Sequence, residues 1–282
     1  MGMEMRWQLA RECWEIPREG AIMGILNVTP DSFSDGGRFC TVEKAVQQAE
    51  LLLREGADVI DIGGESTRPG ASPVSTEDEQ KRVLPVVRAL RECYPGIRLS
   101  IDTRHAETAR AALLAGADII NDITGLQSPA MQQVCAEIPC GIVLMHMQGT
   151  PATMQQMPHY EDVVGEIRRF FRQQVAMAEG LGIERRRICL DPGIGFGKTT
   201  GHNTEIIRRL AELCMDGCPM MMALSRKRFL GELLGDAAAG KADALPTVVM
   251  SLLAAERGAA IHRVHDVAAL KKALRLRHAV TC

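Results

Sequence analysis

Eight short apolar runs recur along the chain at intervals of very roughly 30 to 35 residues, and this repeat restricts the fold more than any single motif. The runs occupy 22–26, 59–62, 99–101, 119–120, 142–145, 188–190, 220–224 and 261–264, and helical patterns separate them. At or just beyond the end of each stands a polar residue: Asn27, Asp61, Asp102, Asn121, His146, Asp191, Ser225 and His265. Apolar strands alternating with helices predict an α/β chain, and eight such units predict a single (β/α)8 barrel whose strand ends share one mouth. An open doubly wound sheet would carry fewer strands and a phosphate-binding GxGxxG after the first. Gly193, Gly195 and Gly197 instead follow a late strand.

Helix signals support the count. Thr41 is placed to cap a helix ending before Gly56, Ser75 and Asp78 resemble a capping pair, and Pro129 suits a first helical turn. Pro85 predicts a kink, and helical patterns are expected over 204–214, 245–257 and 267–277. Residues 1–20 read as a polar N-terminal lead-in and 21–282 as the barrel domain.

The strand ends suggest a ligand with two chemically different ends. Asp102, Asp191 and Asn121 offer acceptors and donors suited to a flat heterocycle with an amino-pyrimidine edge, since a carboxylate pairs bidentately with an N–C–N donor face. Arg68, Lys227, Arg263 and His265 suit a polyphosphate or carboxylate, and barrels often hold phosphate near the last two strands. Bland readings stand beside these. Arg263 and His265 could be a solvated strand edge, Lys227 the first turn of an exposed helix, His146 a core histidine, and Asp61 a residue that orients the Gly63–Gly64 turn. Phe33, on the turn-rich 28–37 segment, is either a hydrophobic anchor or a lid residue.

Composition excludes several classes. The 282 residues are 46% hydrophobic, ample for a core, and the formal net charge of -2 gives no global attraction for nucleic acid or anionic membranes. No apolar run approaches a membrane span and the start lacks a signal-peptide h-region, so a cytoplasmic protein is expected. The nine cysteines form neither a CxxC nor a zinc-finger spacing, and reduced thiols are expected.

Residues 25–37 (ILNVTPDSFSDGG), 61–70 (DIGGESTRPG), 100–103 (SIDT), 120–123 (INDI), 144–149 (LMHMQG), 190–198 (LDPGIGFGK), 225–231 (SRKRFLG) and 263–267 (RVHDV) resemble, in order, the motifs of the dihydropteroate synthases. The resemblance spans roughly residues 22 to 275. It implies a folate-pathway transferase that condenses 6-hydroxymethyl-7,8-dihydropterin pyrophosphate with p-aminobenzoate, releases pyrophosphate, and is the target of sulfonamides. By the same resemblance, Asp102, Asn121, Asp191 and Lys227 hold the pterin, and Ile123, Met145, Gly195 and Phe196 pack around it. Asn27 binds Mg2+ with the pyrophosphate, whose oxygens also meet Arg68, Arg263 and His265. Phe33, Thr67, Arg68, Pro69 and the backbone at Arg228 shape the p-aminobenzoate site, and Asp102, Lys227 and Asn27 carry the chemistry. A homodimer is implied as well.

The chain departs from the family pattern at Ala223, where many members have glycine, and at Leu245, Pro246 and Thr247. A methyltetrahydrofolate-binding corrinoid methyltransferase domain is the nearest rival, but its family lacks the segments carrying Arg68 and Lys227. A noncatalytic pterin-binding paralogue would typically lose loop residues such as Asn27, Phe33, Thr67 and His265, which are present.

Overall fold

A computed structural model of the protein describes residues 5–29, 38–66, 74–151, 153–236 and 243–281, with side chains given from 42 onward in the second segment. Strands β1 (Arg6–Gln8) and β2 (Cys13–Glu15) pair as an antiparallel hairpin. The other eight are β3 (Ala21–Asn27), β4 (Val59–Gly63), β5 (Arg98–Asp102), β6 (Ile119–Asp122), β7 (Gly141–Met145), β8 (Ile188–Asp191), β9 (Met220–Met222) and β10 (Ala259–Val264). All eight run parallel and close in the order β10-β3-β4-β5-β6-β7-β8-β9. The expected barrel is therefore present, with every strand near its expected position.

Strand alternation sorts the residues into two cores, because successive side chains point to opposite faces. Ile60, Ile62, Ile101, Ile120, Leu144 and Leu190 face outward and pack beneath the helices. Met23, Val59, Ile119, Val143, Cys189, Met221 and Ile261 face inward and form a separate apolar layer. The hairpin completes that layer from below. Trp7 and Trp14 join it, the Trp7 indole donates to the Arg187 carbonyl at 2.8 Å, and Arg98 lies 4.5 Å from the Trp14 ring. The 1–20 lead-in is thus more than a polar approach: its aromatic face closes the barrel floor.

Nine helices cover the outside among the described residues: α1 (Arg38–Glu55), α2 (Thr76–Cys93), α3 (Ala106–Leu114), α4 (Pro129–Glu137), α5 (Val163–Gly180), α6 (Thr200–Arg208), α7 (Arg228–Leu234), α8 (Leu245–Ala255) and α9 (Val267–Thr281). The Ser75 hydroxyl caps α2 by accepting from the Asp78 N–H at 3.1 Å, and Pro85 sits within that helix. Helix α6 begins four residues before the position the apolar spacing predicts. Thr199 and His202 form a reciprocal cap that satisfies its first turn, a polar signal that apolar periodicity does not register. No helix among the described residues is long and apolar enough to cross a membrane.

Replacing Trp7 with alanine would empty the floor and orphan the Arg187 carbonyl. We expect a loss of about 3–5 kcal/mol in chemical denaturation, with the barrel secondary structure retained in circular dichroism.

Candidate functional site

Directly above the inward apolar layer, the same alternation puts polar residues inside the barrel. Asn27, Gly63, Asp102 and Asn121 are successive register partners across β3 to β6 and form one row at the mouth. Gly63 keeps the row open: a Cβ there would stand 3.7 Å from both Asn27 Oδ1 and Asp102 Cβ. Asp61, two residues earlier on β4, points to the same interior as Gly63.

Arg263 of β10 reaches across the mouth and ties this row together. Its Nε donates to Asp61 Oδ2 and its Nη2 to Asp102 Oδ2, both at 2.6 Å. The same Asp61 oxygen accepts from the Asn121 amide at 3.2 Å. Asp61 therefore does not merely orient the Gly63–Gly64 turn, as its sequence neighbours suggest; it is fully buried at the hub of the charged network. Burial would lower the Arg263 guanidinium, but Asp61 and Asp102 more than offset this and raise it.

Two oxygens of that network are unspent. Asp61 Oδ1 and Asp102 Oδ1 are buried and have no hydrogen-bond partner among the described residues. Buried acceptors are nearly always satisfied, so each is placed to accept from a donor beyond the described residues, a ligand included. Burial pushes the Asp102 carboxyl up to about 7; Arg263 opposes the rise, and the Asp61 charge adds to it. Burial also raises Asp191, whose Oδ1 accepts from the Gly193 N–H at 2.7 Å.

The loop after β8 presses against the end of β7. At Gly193, φ is +68° and a Cβ would lie 1.9 Å from the His146 carbonyl oxygen; at Gly197, φ is +62° and a Cβ would lie 2.5 Å from that of Gln148. Only glycine permits both the left-handed conformation and the contact. This close seating places Phe196 under Lys227, whose Nζ is 4.3 Å from the ring centroid. Burial lowers Lys227 to about 8, with Asp191 and Asp102 opposing and Arg263 reinforcing. Lys227 is thus no exposed first-turn lysine. Ile123 and Met145, both nearly buried, supply apolar wall, and Met145 Cγ would be 3.3 Å from a Cβ at Gly193.

His265 completes the cationic side. Its backbone N–H donates to Ser225 Oγ at 3.2 Å, and its Nδ1 lies 2.9 Å from the same oxygen. The pair of contacts to Ser225 Oγ holds the imidazole beside the last strand, with Nδ1 engaged by the hydroxyl. The Arg228 side chain lies apart from this group: it is exposed and pairs with Glu232 at 3.0 Å. Phe33, Thr67, Arg68 and Pro69 lie outside the described residues. One buried residue not singled out in sequence is Lys198, which contacts His146 and thereby shows that His146 lies beneath the glycine loop.

Among the described residues, no group of three His, Cys, Asp or Glu side chains is placed to hold a metal ion. Asn27 offers a neutral amide oxygen at the end of β3, so a metal bound there would need most of its ligands from water and substrate.

Comparison with known proteins agrees with this geometry. The pterin binding enzyme family profile matches residues 23–265. The dihydropteroate synthase of Escherichia coli strain K12 is 45% identical over 256 residues, covering 90% of this chain and 89% of the relative. The structure of Xanthomonas albilineans dihydropteroate synthase with 4-aminobenzoic acid superposes with a TM-score of 0.90 at 45% identity, covering 99% of each chain. That of the Burkholderia cenocepacia enzyme complexed with 7,8-dihydropteroate gives 0.88 at 40% identity, covering 99% of this chain and 98% of the other.

Removal of Arg263 should expose the strain its charge relieves. Arg263→Ala leaves two buried carboxylates without a counter-ion, a change of about 3–5 kcal/mol. Without Arg263 the Asp102 carboxyl, already raised by burial, rises further above its unfolded value, so the folded state binds more protons and the variant loses stability as pH rises. The deficit measured by denaturation should be larger at pH 8 than at pH 5.

Proposed function

This chain belongs to the dihydropteroate synthases within the pterin binding enzyme family, and on that premise we propose that its mouth condenses 6-hydroxymethyl-7,8-dihydropterin pyrophosphate with p-aminobenzoate to give 7,8-dihydropteroate and pyrophosphate. The observation that carries the reading is Asp102 Oδ1, a buried acceptor without a protein donor, standing in the same mouth as Arg263 and Lys227. A flat heterocycle rich in N–H groups supplies the missing donors, and an attached diphosphate answers the cations.

In this assignment Asp102, Asn121, Asp191 and Lys227 hold the pterin between the walls made by Ile123, Met145, Gly195 and Phe196. Asn27, Arg68, Arg263 and His265 hold the pyrophosphate; Arg263 already reaches across the mouth. Phe33, Thr67, Arg68, Pro69 and the Arg228 backbone shape the p-aminobenzoate site.

A single amide oxygen next to a diphosphate fits Mg2+, which keeps several waters and takes one or two protein oxygens plus substrate phosphates. Asn27 would hold it there, and the bound ion would supply charge neutralisation on the diphosphate leaving group.

The residues then divide the reaction. The C–O bond between the pterin methylene and the diphosphate breaks, leaving positive charge on the pterin. Arg263 and His265 stabilise the leaving group, and ionised Asp102 stabilises the cation in a site where charge is poorly screened. The p-aminobenzoate nitrogen forms the new C–N bond and then loses its proton, so no covalent enzyme intermediate is required. Exclusion of water protects the cation, a role we assign to the 28–37 and 63–70 loops. Sulfonamides, which mimic p-aminobenzoate, should compete with it.

The same reading makes the protein cytoplasmic and homodimeric. Leu233 and Leu234 of α7 and Leu245 and Val249 of α8 are exposed, which supports a covered face there.

Pyrophosphate release in the presence of Mg2+ and the dihydropterin pyrophosphate tests the proposal. Release should require p-aminobenzoate and should fall at least about 100-fold in Lys227→Ala, the scale of losing one charge-stabilising donor. For the wild type, kcat/KM should rise with pH through about 7 as Asp102 ionises and fall above about 8 as Lys227 loses its proton. Retained pterin binding without turnover would indicate a noncatalytic paralogue.

A further inference from the structure

Lys198 is a charged group near the site for which the proposed reaction has no use, yet it is only 2% exposed. Its ammonium has three acceptors within reach: His146 Nδ1 at 3.0 Å, the His146 carbonyl at 3.2 Å and the Phe196 carbonyl at 2.9 Å. An ammonium has three N–H donors, so the count is matched. None of the three acceptors carries a charge. Burying an ammonium against neutral partners works against stability, and a fold that keeps such a group uses it for something other than stability.

We propose that Lys198 is a positioning residue for the pterin end of this site, its ammonium fixing the 193–197 loop on the end of β7 and, through Phe196, the ring on which Lys227 rests. This rests on the reading of the mouth as a pterin site. The contact order is short. Lys198 grips the Phe196 carbonyl from one side and the His146 carbonyl and ring from the other, while the His146 N–H donates to the Asp191 carbonyl at 2.9 Å. One ammonium thereby joins the ends of β7 and β8 at the level of Asp191. The Phe196 ring held in this way carries the Lys227 ammonium on its face.

Other contacts fasten the loop without touching the Phe196 carbonyl. Gly195 N–H donates to Asn203 Oδ1 at 2.9 Å, Gln155 donates to the Gly195 carbonyl at 2.7 Å, and the Tyr160 hydroxyl donates to the Gly197 carbonyl at 2.9 Å. Lys198 alone adds charge. Its neighbours in the field are Asp191, which favours the ammonium, and Lys227, which opposes it; His202 of α6 also feels it. Burial lowers Lys198 to about 7, and burial followed by the Lys198 charge holds His146 down at about 2, leaving Nδ1 free to accept.

The experiment compares wild type, Lys198→Met and Tyr160→Phe. Binding of 6-hydroxymethyl-7,8-dihydropterin is followed by its fluorescence, and kcat and both KM values are measured across pH. Lys198→Met should raise KM for the dihydropterin pyrophosphate at least about 10-fold, the scale of losing hydrogen bonds from a charged group. It should leave KM for p-aminobenzoate within about two-fold of wild type and abolish the rise in pterin KM that wild type shows as pH passes about 7 and the Lys198 ammonium loses its proton. Tyr160→Phe, which loosens the loop without changing charge, should keep that rise. An unchanged pterin KM, a rise retained in Lys198→Met, or an equal increase in both KM values would overturn the proposal. Wild type that fails to bind the pterin would instead sink the reading of the site.

Should Lys198→Met not fold, 15N NMR of the lysine ammonium groups in wild type decides. Two should titrate below about pH 9. Lys227→Ala removes one of them; the other should shift when the pterin is bound to wild type, and its insensitivity would refute the role.

Discussion

The bridge from Arg263 to Asp61 and Asp102 is the contact on which the mouth depends. It spans the start and end of the barrel sequence, joining β10 to β4 and β5 through two 2.6 Å hydrogen bonds. Arginine suits this task because its planar fork donates in two directions from a fixed geometry and stays charged when buried. Once both carboxylates are held by one guanidinium, each retains an oxygen that faces inward without a partner. The bridge therefore does two things at once: it makes the carboxylates tolerable in the interior, and it leaves each of them half-satisfied.

A half-satisfied interior conflicts with stability and fits ligand recognition. The floor beneath it is an apolar layer that Trp7 and Trp14 close from below. Immediately above, Asp61, Asp102, Asn121, Asp191 and Arg263 fill the next inward positions. Burial shifts both charges toward neutrality and their opposite-charge neighbours only partly offset it: Asp102 rises to about 7, and Lys227 falls to about 8. Both charges consequently sit close to their tipping points near neutral pH, where a change in ligand charge has a large effect.

The barrel was legible because its signals are local and repeated. Each strand announces itself through a run of two to five residues, mostly apolar, and each strand end through a polar one. Asp102, Asn121, Asp191, Lys227 and Arg263 could be picked out from position alone, and the structure brings them to one mouth. Asp61 was misjudged because its glycine neighbours suggested a turn. The alternation of Val59, Asp61 and Gly63 held the correct answer, since residue 61 must share the inward face of residue 59. Lys198 offered no comparable signal. A lysine after a glycine loop looks solvated in sequence, and its acceptors on His146 lie 52 residues away. The Trp7 and Trp14 floor falls between these cases: aromatic residues flanked by charged ones on two short strands form an apolar face, visible only once the strands are paired.

The central claim is that one mouth holds a heterocycle on its carboxylates and a diphosphate on its cations at the same time. Calorimetric titration of 6-hydroxymethyl-7,8-dihydropterin and of pyrophosphate, separately and together, with and without Mg2+, tests it most directly. The account predicts that the pterin binds with or without Mg2+, that pyrophosphate binding strengthens when Mg2+ is added, and that one of each occupies the chain together. Mutual displacement of the two would show that they share a single subsite, and would contradict the account.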